Sequence, residues 1–311
     1  MLSRVAERVY WSARYLERIS STVRLVSIYQ SLLFDLPNNV SLSWYNLIII
    51  NDLEEAFGER YTNRTERNVV KFLLGDEDNP SSLINSMRAV RENVRTTRDA
   101  VPEEAWEMIC ELSMYVQDNI ELALNRRSRH EFLEDVTKGC LQINGLLFST
   151  MPQDAAWEFL HIGRNLERAD MTSRYLEAGL TAIIELKNDD SAINSRQIIW
   201  GSVLRSLNAS QYYLRATRSP VIGEEVVPYL LNDTVFPKSI AHCIGAIIGS
   251  CAKLPRSQTA LKKLKDIQKQ LGAEINHQDL DSKLLEHFNQ LQILLTNIHI
   301  IISDTWFPAH E

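Results

Sequence analysis

The chain has 311 residues, of which 33 are Lys or Arg and 40 are Asp or Glu, so its net charge is −7. This acidic balance argues against a general nucleic-acid binder, although it leaves room for local arginine clusters. Hydrophobic residues make up 45 %, enough for a sizeable core, and the low glycine count of 11 suits long helices.

The cysteines and the N-terminus bear on the cellular compartment. The four cysteines are Cys110, Cys140, Cys243 and Cys251. They show no CxxC spacing, which is typical of reduced, mostly buried thiols in a cytoplasmic protein. The first residues are charged and lack an apolar run, so no signal peptide is expected. The longest apolar runs are too short to span a bilayer, so we expect a cytoplasmic protein without membrane contact.

Apolar residues recur at steps of three and four along nearly the whole chain, and strand-like alternation is not found, which predicts an all-α protein. The predicted helices cover residues 3–35, 43–57, a short segment ending at 74, 80–100, 102–124, 131–149, 154–187, 194–218, 224–231, 238–252, 257–271 and 280–303. Pro37, Asn38 and Asn39 predict a turn after the first helix. Asn79 and Pro80 predict a helix start, with an N-cap followed by proline at the first helical position.

The first predicted helix carries a distinctive charge motif. Its core-facing stripe consists of Val5, Val9, Ser12, Leu16, Ile19, Val23, Val26 and Leu33. Arg14, Glu17, Arg18 and Arg24 lie mostly on the opposite side of the helix from that stripe. The sequence thus predicts an amphipathic helix with one apolar face and one strongly charged face.

The same charges return 150 residues later, as Arg164, Glu167, Arg168 and Arg174. Other pairs recur at offsets of 156 or 157: Trp44 and Trp200, 72–76 and 229–233, Pro80 and Pro237, Ser82 and Ser239, and Ala89 and Ala246. The sequence therefore predicts a long-helix bundle of two related halves, residues 1–152 and 153–311. We expect the halves to share one core around a pseudo-two-fold axis, because helices this amphipathic need partners.

Three interpretations of the duplicated charges stay open. Exposed charge is most often a solvated face, but this does not explain why the same spacing occurs twice. The charges could instead form structural ion pairs across helices. They could also form a ligand or partner site, since paired guanidinium groups suit a carboxylate or a phosphate.

A second arginine group lies on the helix that follows Asn79. Arg88, Arg91, Arg95 and Arg98 form a stripe that predicts an anion or partner site in the first half only, because Gly245 replaces Arg88 in the second half. An exposed flank whose aliphatic stems cover the core edge is the alternative. Lys262, Lys263, Lys265 and Lys269 predict a solvated basic face, with docking of an acidic partner as the lesser alternative.

Two ExxH motifs raise the question of a di-metal site in the helical bundle. Glu158 with His161 and Glu274 with His277 have the ligand spacing found in such proteins. The first-half equivalents of the first pair are not metal ligands, and motifs this short arise often by chance. No metal site and no cofactor are therefore predicted.

Six distinctive segments are spread over essentially the whole chain: residues 2–11, the motif 14–18, residues 78–82, residues 89–93 with Arg95 and Arg98, residues 163–170, and residues 236–239. Together they resemble the alpha-E family of bacterial proteins. The resemblance implies an all-helical fold. It also implies genetic association with a circularly permuted ATP-grasp-like protein and a transglutaminase-like peptidase, and thus a system that makes or trims peptide or amide bonds.

The leading hypothesis is an accessory helical subunit of such a ligase system, more plausibly non-catalytic or dependent on a partner subunit. Its duplicated Arg/Glu clusters would bind the ATP-grasp-like partner or a carboxylate or phosphate ligand. In the first alternative the chain is itself an enzyme of amide-bond chemistry, with Glu17 or Glu167 as general base. The second alternative is a purely structural scaffold.

Overall fold

The computed structural model describes residues 3–36, 42–186, 192–271 and 280–308, and these form α-helices and no strand. The helices are α1 (Ser3–Asp35), α2 (Asn46–Ile50), α3 (Glu54–Gly58), α4 (Glu66–Leu74), α5 (Leu83–Arg95), α6 (Glu103–Leu124), α7 (Arg129–Thr150), α8 (Ala155–Ile184), α9 (Ala192–Ser206), α10 (Ser210–Thr217), α11 (Gly223–Asn232), α12 (Ile240–Lys253), α13 (Gln258–Leu271) and α14 (Ser282–Trp306). Within these ranges, no helix combines the length and hydrophobicity needed to cross a membrane.

The two longest helices, α1 and α8, lie side by side at the centre of the bundle. They run parallel, because the paired positions advance together: Tyr10 meets Gly163, and the Tyr175 hydroxyl donates to the backbone oxygen of Ser21 at 3.2 Å. The remaining helices surround this pair, with α5, α7 and α9 against α1 and with α12 and α14 against α8.

Most of the apolar stripe predicted on α1 is buried, but the prediction that α1 faces the core on one side only was wrong. Glu17 and Ser21 lie opposite the stripe and are nevertheless buried, as Leu16 and Val23 are. The reason is that a helix at the centre of a bundle has neighbours on every side, so its polar residues are buried as well and must find partners there.

One close contact sets the distance between the central helices. An added Cβ at Gly163 would lie 2.3 Å from the backbone oxygen of Tyr10. Only glycine therefore allows the backbones of α1 and α8 to approach this closely. The short separation brings the charged residues of the two helices within direct contact of each other.

Two predicted helices are each divided in two. Residues 43–57 form α2 and α3, and residues 194–218 form α9 and α10. Asp52 lies between the first two with a φ of 55°, and Asn208 lies between the second two with a φ of 57°. A left-handed residue ends an α-helix, and Asp and Asn tolerate this conformation better than most residues do.

The start of α5 also differs from the prediction. Ser82 is the N-cap and accepts a hydrogen bond from the backbone N–H of Asn85 at 3.3 Å. Asn79 instead donates its side-chain amide to the backbone oxygen of Phe72 at 2.8 Å and is buried. The N-cap of α12, Ser239, accepts from the backbone N–H of His242 at the same distance, 3.3 Å.

The prediction that the cysteines are unpaired and mostly buried is confirmed, because all four are free and three are buried, with Cys110 partly exposed. The turn predicted at Pro37 to Asn39 and the ExxH pair Glu274 and His277 lie outside the described residues.

Candidate anion-binding site

The first group of charges is centred on Glu167 of α8. Nε of Arg14 donates to Oε2 of Glu167 at 2.7 Å, and Nε of Arg18 donates to Oε1 at 2.6 Å. A second N–H of Arg18 reaches Oε2 at 3.2 Å. Farther along α8, Nε of Arg174 donates to Asp170 at 3.0 Å. These five residues, Arg14, Arg18, Glu167, Asp170 and Arg174, are called the Glu167 cluster below.

The second group is centred on Glu17 of α1. Nε of Arg168 lies 3.1 Å from Oε2 of Glu17, and Nζ of Lys238, just before α12, lies 3.9 Å from Oε1. Arg164 and Arg24 complete the group. The carboxylate of each central helix is thus faced by arginines of the other helix. Glu17, Arg24, Arg164, Arg168 and Lys238 are called the Glu17 cluster below.

Both carboxylates are removed from solvent, since the side chains of Glu17 and Glu167 are 4 % and 1 % exposed. The interpretation of these motifs as a solvated face is therefore wrong for both glutamates. Burial by itself would raise the pKa of each carboxyl group, but neighbouring cations outweigh it. Arg14 and Arg18 lower the pKa of Glu167 to about 2, and Arg168 and Lys238 lower the pKa of Glu17.

The two clusters differ in how completely their cations are paired. In the described part of the chain, the Glu167 cluster has three arginines and two carboxylates, whereas the Glu17 cluster has four cations and one carboxylate. One substitution between the halves accounts for part of this difference in charge. Asp170 pairs with Arg174, but the residue at the equivalent position 150 residues earlier is Ser20, which has no charge and cannot form an ion pair with Arg24.

Arg24 finds a neutral partner instead. Its guanidinium group donates to the side-chain oxygen of Asn208, the left-handed residue between α9 and α10. Arg24 also acts on Lys238. Burial is the largest effect that lowers the pKa of Lys238, and the charges of Arg168 and Arg24 lower it further, while the attraction of Glu17 raises it. The cations of the Glu17 cluster therefore repel each other with a single buried carboxylate between them.

Arg164 has the least complete pairing. Its side chain is 3 % exposed, and one terminal nitrogen has no hydrogen-bond partner among the described residues. Its guanidinium carbon lies 3.8 Å from the centre of the Phe148 ring. Burial and the charge of Arg168 lower the pKa of Arg164 to about 9. The ion pair of Arg168 with Glu17 likewise leaves its Nε without an aligned hydrogen bond. Buried donors of this kind call for an acceptor.

A cavity of about 380 Å³ opens beside the Glu17 cluster. Arg168 and Lys238 line it together with Asn208, and Arg215 adds a further cation. Its remaining wall comes from α10, α11 and the loop before α12. Arg164 does not line this cavity, but Arg168 does, so at Arg168 the Glu17 cluster has both unfilled hydrogen-bonding capacity and adjacent open volume, the two features that an anion site needs.

The arginine stripe on α5 lies apart from both clusters. Arg88 pairs with Glu77 at 2.8 Å, Arg95 with Glu92 at 2.8 Å, and Arg98 with Glu103 at 4.0 Å. The three pairs and Arg91 are exposed on the protein surface. The stripe is an exposed flank with local ion pairs, as in its alternative interpretation.

The other sequence candidates have partners of their own. Glu158 accepts from Nζ of Lys253 at 2.7 Å, and Nδ1 of His161 lies 3.0 Å from the hydroxyl of Ser250. Within the described ranges, no group of three His, Cys, Asp or Glu residues is arranged to hold a metal ion. The lysines of α13 are exposed.

Sequence reasoning missed the residues that complete the Glu17 cluster and its cavity. In the sequence, Lys238 stands out only as part of the segment 236–239, and Asn208 and Tyr212 belong to none of the motifs described above. The repeat itself contains a signal for Lys238. Ser82 and Ser239 align at the offset of 157, and the residue before Ser239 is the cation Lys238, whereas the residue before Ser82 is the neutral Ser81.

Two Glu-Arg dipeptides, each with a buried glutamate that faces arginines of the other central helix, define an all-helical protein organised around that dipeptide. The chain belongs to the Alpha-E family. The family is described as a predicted alpha-helical domain with a conserved ER motif, and its model matches residues 1–307.

Similar proteins include uncharacterized proteins of Mycobacterium bovis and of two strains of Mycobacterium tuberculosis. Each is 21 % identical over 189 residues, which cover 60 % of this chain and 21 % of the relative. The chain thus matches only about a fifth of the length of these curated relatives. No solved structure matches the chain.

Proposed function

We propose that this protein is a helical binding subunit whose Glu17 cluster holds the carboxylate or phosphate group of a ligand or partner. The observation that carries the proposal is the imbalance of that cluster. Arg164, Arg168 and Lys238 face one buried carboxylate, and two of them, Arg168 and Lys238, line the adjacent cavity, where Nε of Arg168 lacks an aligned hydrogen bond. An anion in the cavity would reduce the repulsion between these cations and supply an acceptor to Arg168.

We further propose that the chain arose from two related halves that have since diverged. Seven helices precede residue 153 and seven follow it in the described ranges. The reciprocal Arg–Glu pairs and the equivalent caps Ser82 and Ser239 support this proposal. In this view the Glu167 cluster became a closed structural element, while Ser20 and Lys238 left the Glu17 cluster open to an anion. The ER motif of the family would correspond to Glu17–Arg18 and Glu167–Arg168.

Catalysis by these glutamates is the less favoured alternative. A general base works best when its pKa lies near the operating pH. The neighbouring cations instead lower the pKa of Glu17 and bring that of Glu167 to about 2. Both carboxylates are thus suited to orient guanidinium groups rather than to accept protons. A purely structural scaffold would account for the Glu167 cluster, but it does not explain the excess of positive charge around Glu17.

For the partner, we propose a circularly permuted ATP-grasp-like protein, with a transglutaminase-like peptidase as a third component of the system. This proposal rests on the family membership rather than on a contact. A ligase of this type handles carboxylates and phosphates, which is the chemistry that the Glu17 cluster suits.

The anion site can be tested at Lys238. Isothermal titration calorimetry with inorganic phosphate and with acetate should detect binding of at least one anion to the unaltered protein. Lys238→Gln should weaken that binding by at least about tenfold, since a charge-assisted hydrogen bond contributes about 1.5–3 kcal/mol. The variant should remain folded, because it removes a cation that its neighbours repel.

Lys262→Gln serves as the control, since Lys262 is an exposed lysine of α13 outside both clusters. It should bind the anion as the unaltered protein does. The proposal fails if neither anion binds, or if Lys238→Gln and Lys262→Gln bind equally well.

The partner proposal has a separate test. Co-purification with the ATP-grasp-like protein of the same organism should be lost in Arg168→Ala and retained in Arg18→Ala, because Arg18 belongs to the closed cluster. Circular dichroism should first show that both variants are folded. Equal capture of the partner by both variants would remove the docking role of the Glu17 cluster.

A further inference from the structure

The cavity beside the Glu17 cluster has an aromatic wall. The rings of Tyr229 and Phe236 are stacked with their centres 5.4 Å apart, and the ring of Tyr212 lies 6.2 Å from that of Phe236. Tyr229 and Phe236 are buried, whereas Tyr212 is 49 % exposed, so its ring remains available at the rim. Val235, also at the rim, is 80 % exposed.

Three cations, Arg168, Lys238 and Arg215, line the cavity together with these aromatic residues. Arg168 and Lys238 belong to the Glu17 cluster, and the guanidinium carbon of Arg215 lies 5.4 Å from the centre of the Tyr212 ring. Asp233 is the acidic residue among the lining side chains described. One oxygen of Asp233 already accepts from the backbone N–H groups of Val235 and Phe236, at 2.8 and 2.6 Å.

The loop that carries the wall is held in place from both ends. The Ser239 hydroxyl donates to the backbone oxygens of Asp233 and Phe236. The Thr172 hydroxyl of α8 donates to the backbone oxygen of Lys238 at 2.8 Å. The site is thus formed before any ligand arrives, which lowers the entropic cost of binding.

A bare anion would use only part of this site. The volume of about 380 Å³ is within the range of small-molecule sites, roughly 300–1,000 Å³. A lone phosphate or acetate would contact the cations but leave the exposed ring of Tyr212 in water. A ligand with an apolar, planar part would cover that ring as well.

We propose that the cavity binds an aromatic anion, a molecule in which a carboxylate or a phosphate is joined to a planar ring. The anionic group would lie against Arg168 and Lys238, and the ring would pack against Tyr212. This inference rests on the proposed anion-binding function and adds the chemical class of the ligand. The two sources of such an anion, an aromatic carboxylic acid and an aromatic phosphomonoester, share this chemistry.

Paired probes separate the ring from the charge. Calorimetric titrations should compare phenyl phosphate with inorganic phosphate, and N-acetylphenylalanine with N-acetylglycine. In at least one pair the aromatic member should bind roughly threefold to tenfold more tightly, which is the range expected of a single aromatic contact. The pair that shows the larger preference identifies the source of the anion.

Tyr212→Ala should remove most of that preference while the ring-free probe binds unchanged. Leu214→Ala is the matched control, because Leu214 lies on the same helix, is 51 % exposed and does not line the cavity. It should keep the preference. If the aromatic and ring-free probes bind equally, the ligand class is wrong and the anion site stands. If no probe binds, the anion site itself is wrong.

Discussion

Replacement of Glu167 by Gln should destabilise the protein by about 3–5 kcal/mol, the usual cost of removing one partner from a buried ion pair. Glu167 is almost completely buried and is the carboxylate that pairs with both Arg14 and Arg18. Gln has nearly the same size but no charge, and its amide group would turn a donor toward a guanidinium group. Urea unfolding followed by circular dichroism measures the change.

Glu92→Gln is the control for this measurement, because Glu92 forms an exposed pair with Arg95. Surface pairs of this kind contribute little, so its unfolding curve should overlie that of the unaltered protein. A Glu167→Gln protein that unfolds at the same urea concentration would show that the buried pairs do not stabilise the fold.

The direction of the pH dependence follows from the lowered pKa of Glu167. Its pKa falls from the ordinary 4.5 to about 2 because Arg14 and Arg18 outweigh the effect of burial. The ionised carboxylate therefore stabilises the fold above about pH 4.5, and this contribution is lost as the pH falls toward 2. The difference between the unaltered protein and Glu167→Gln should shrink over the same interval.

Gly163→Ala should destabilise the protein by at least about 2 kcal/mol, since overpacking of a close contact costs roughly 1–3 kcal/mol even when side chains can adjust. Here the new Cβ would lie 2.3 Å from the backbone oxygen of Tyr10, which cannot rotate away. The two central helices must separate, which would also lengthen the ion pairs between α1 and Glu167. Thermal and urea unfolding both report the loss.

Gly245→Ala provides the opposite expectation at an exposed position of α12. No atom lies within 4 Å of a Cβ added there. Alanine is favoured over glycine in a helix by up to about 1 kcal/mol, so this variant should be equal or more stable. A Gly163→Ala protein as stable as Gly245→Ala would mean that α1 and α8 do not depend on their close contact.

Local patterns determined the helices well, and tertiary contacts decided where they break. The long helices α1 and α8 and most of the shorter ones follow from apolar periodicity. The breaks at Asp52 and Asn208 could not be predicted in this way, since a single left-handed residue does not interrupt the period of its neighbours. The sequence predicts Asn79 as a helix cap, whereas its role in the structure, a buried hydrogen bond to the backbone oxygen of Phe72, depends on the adjacent helix.

The charged motif shows the same division. The sequence by itself determined that Arg14, Glu17 and Arg18 recur as a set 150 residues later, and that the chain is all-helical. Only the tertiary structure decided that these charges are buried and face each other, because periodicity describes one helix and cannot tell which neighbours surround it. The pairing of Glu17 with Arg168 and Lys238 joins three distant segments, and charge at such a junction depends on packing rather than on local sequence.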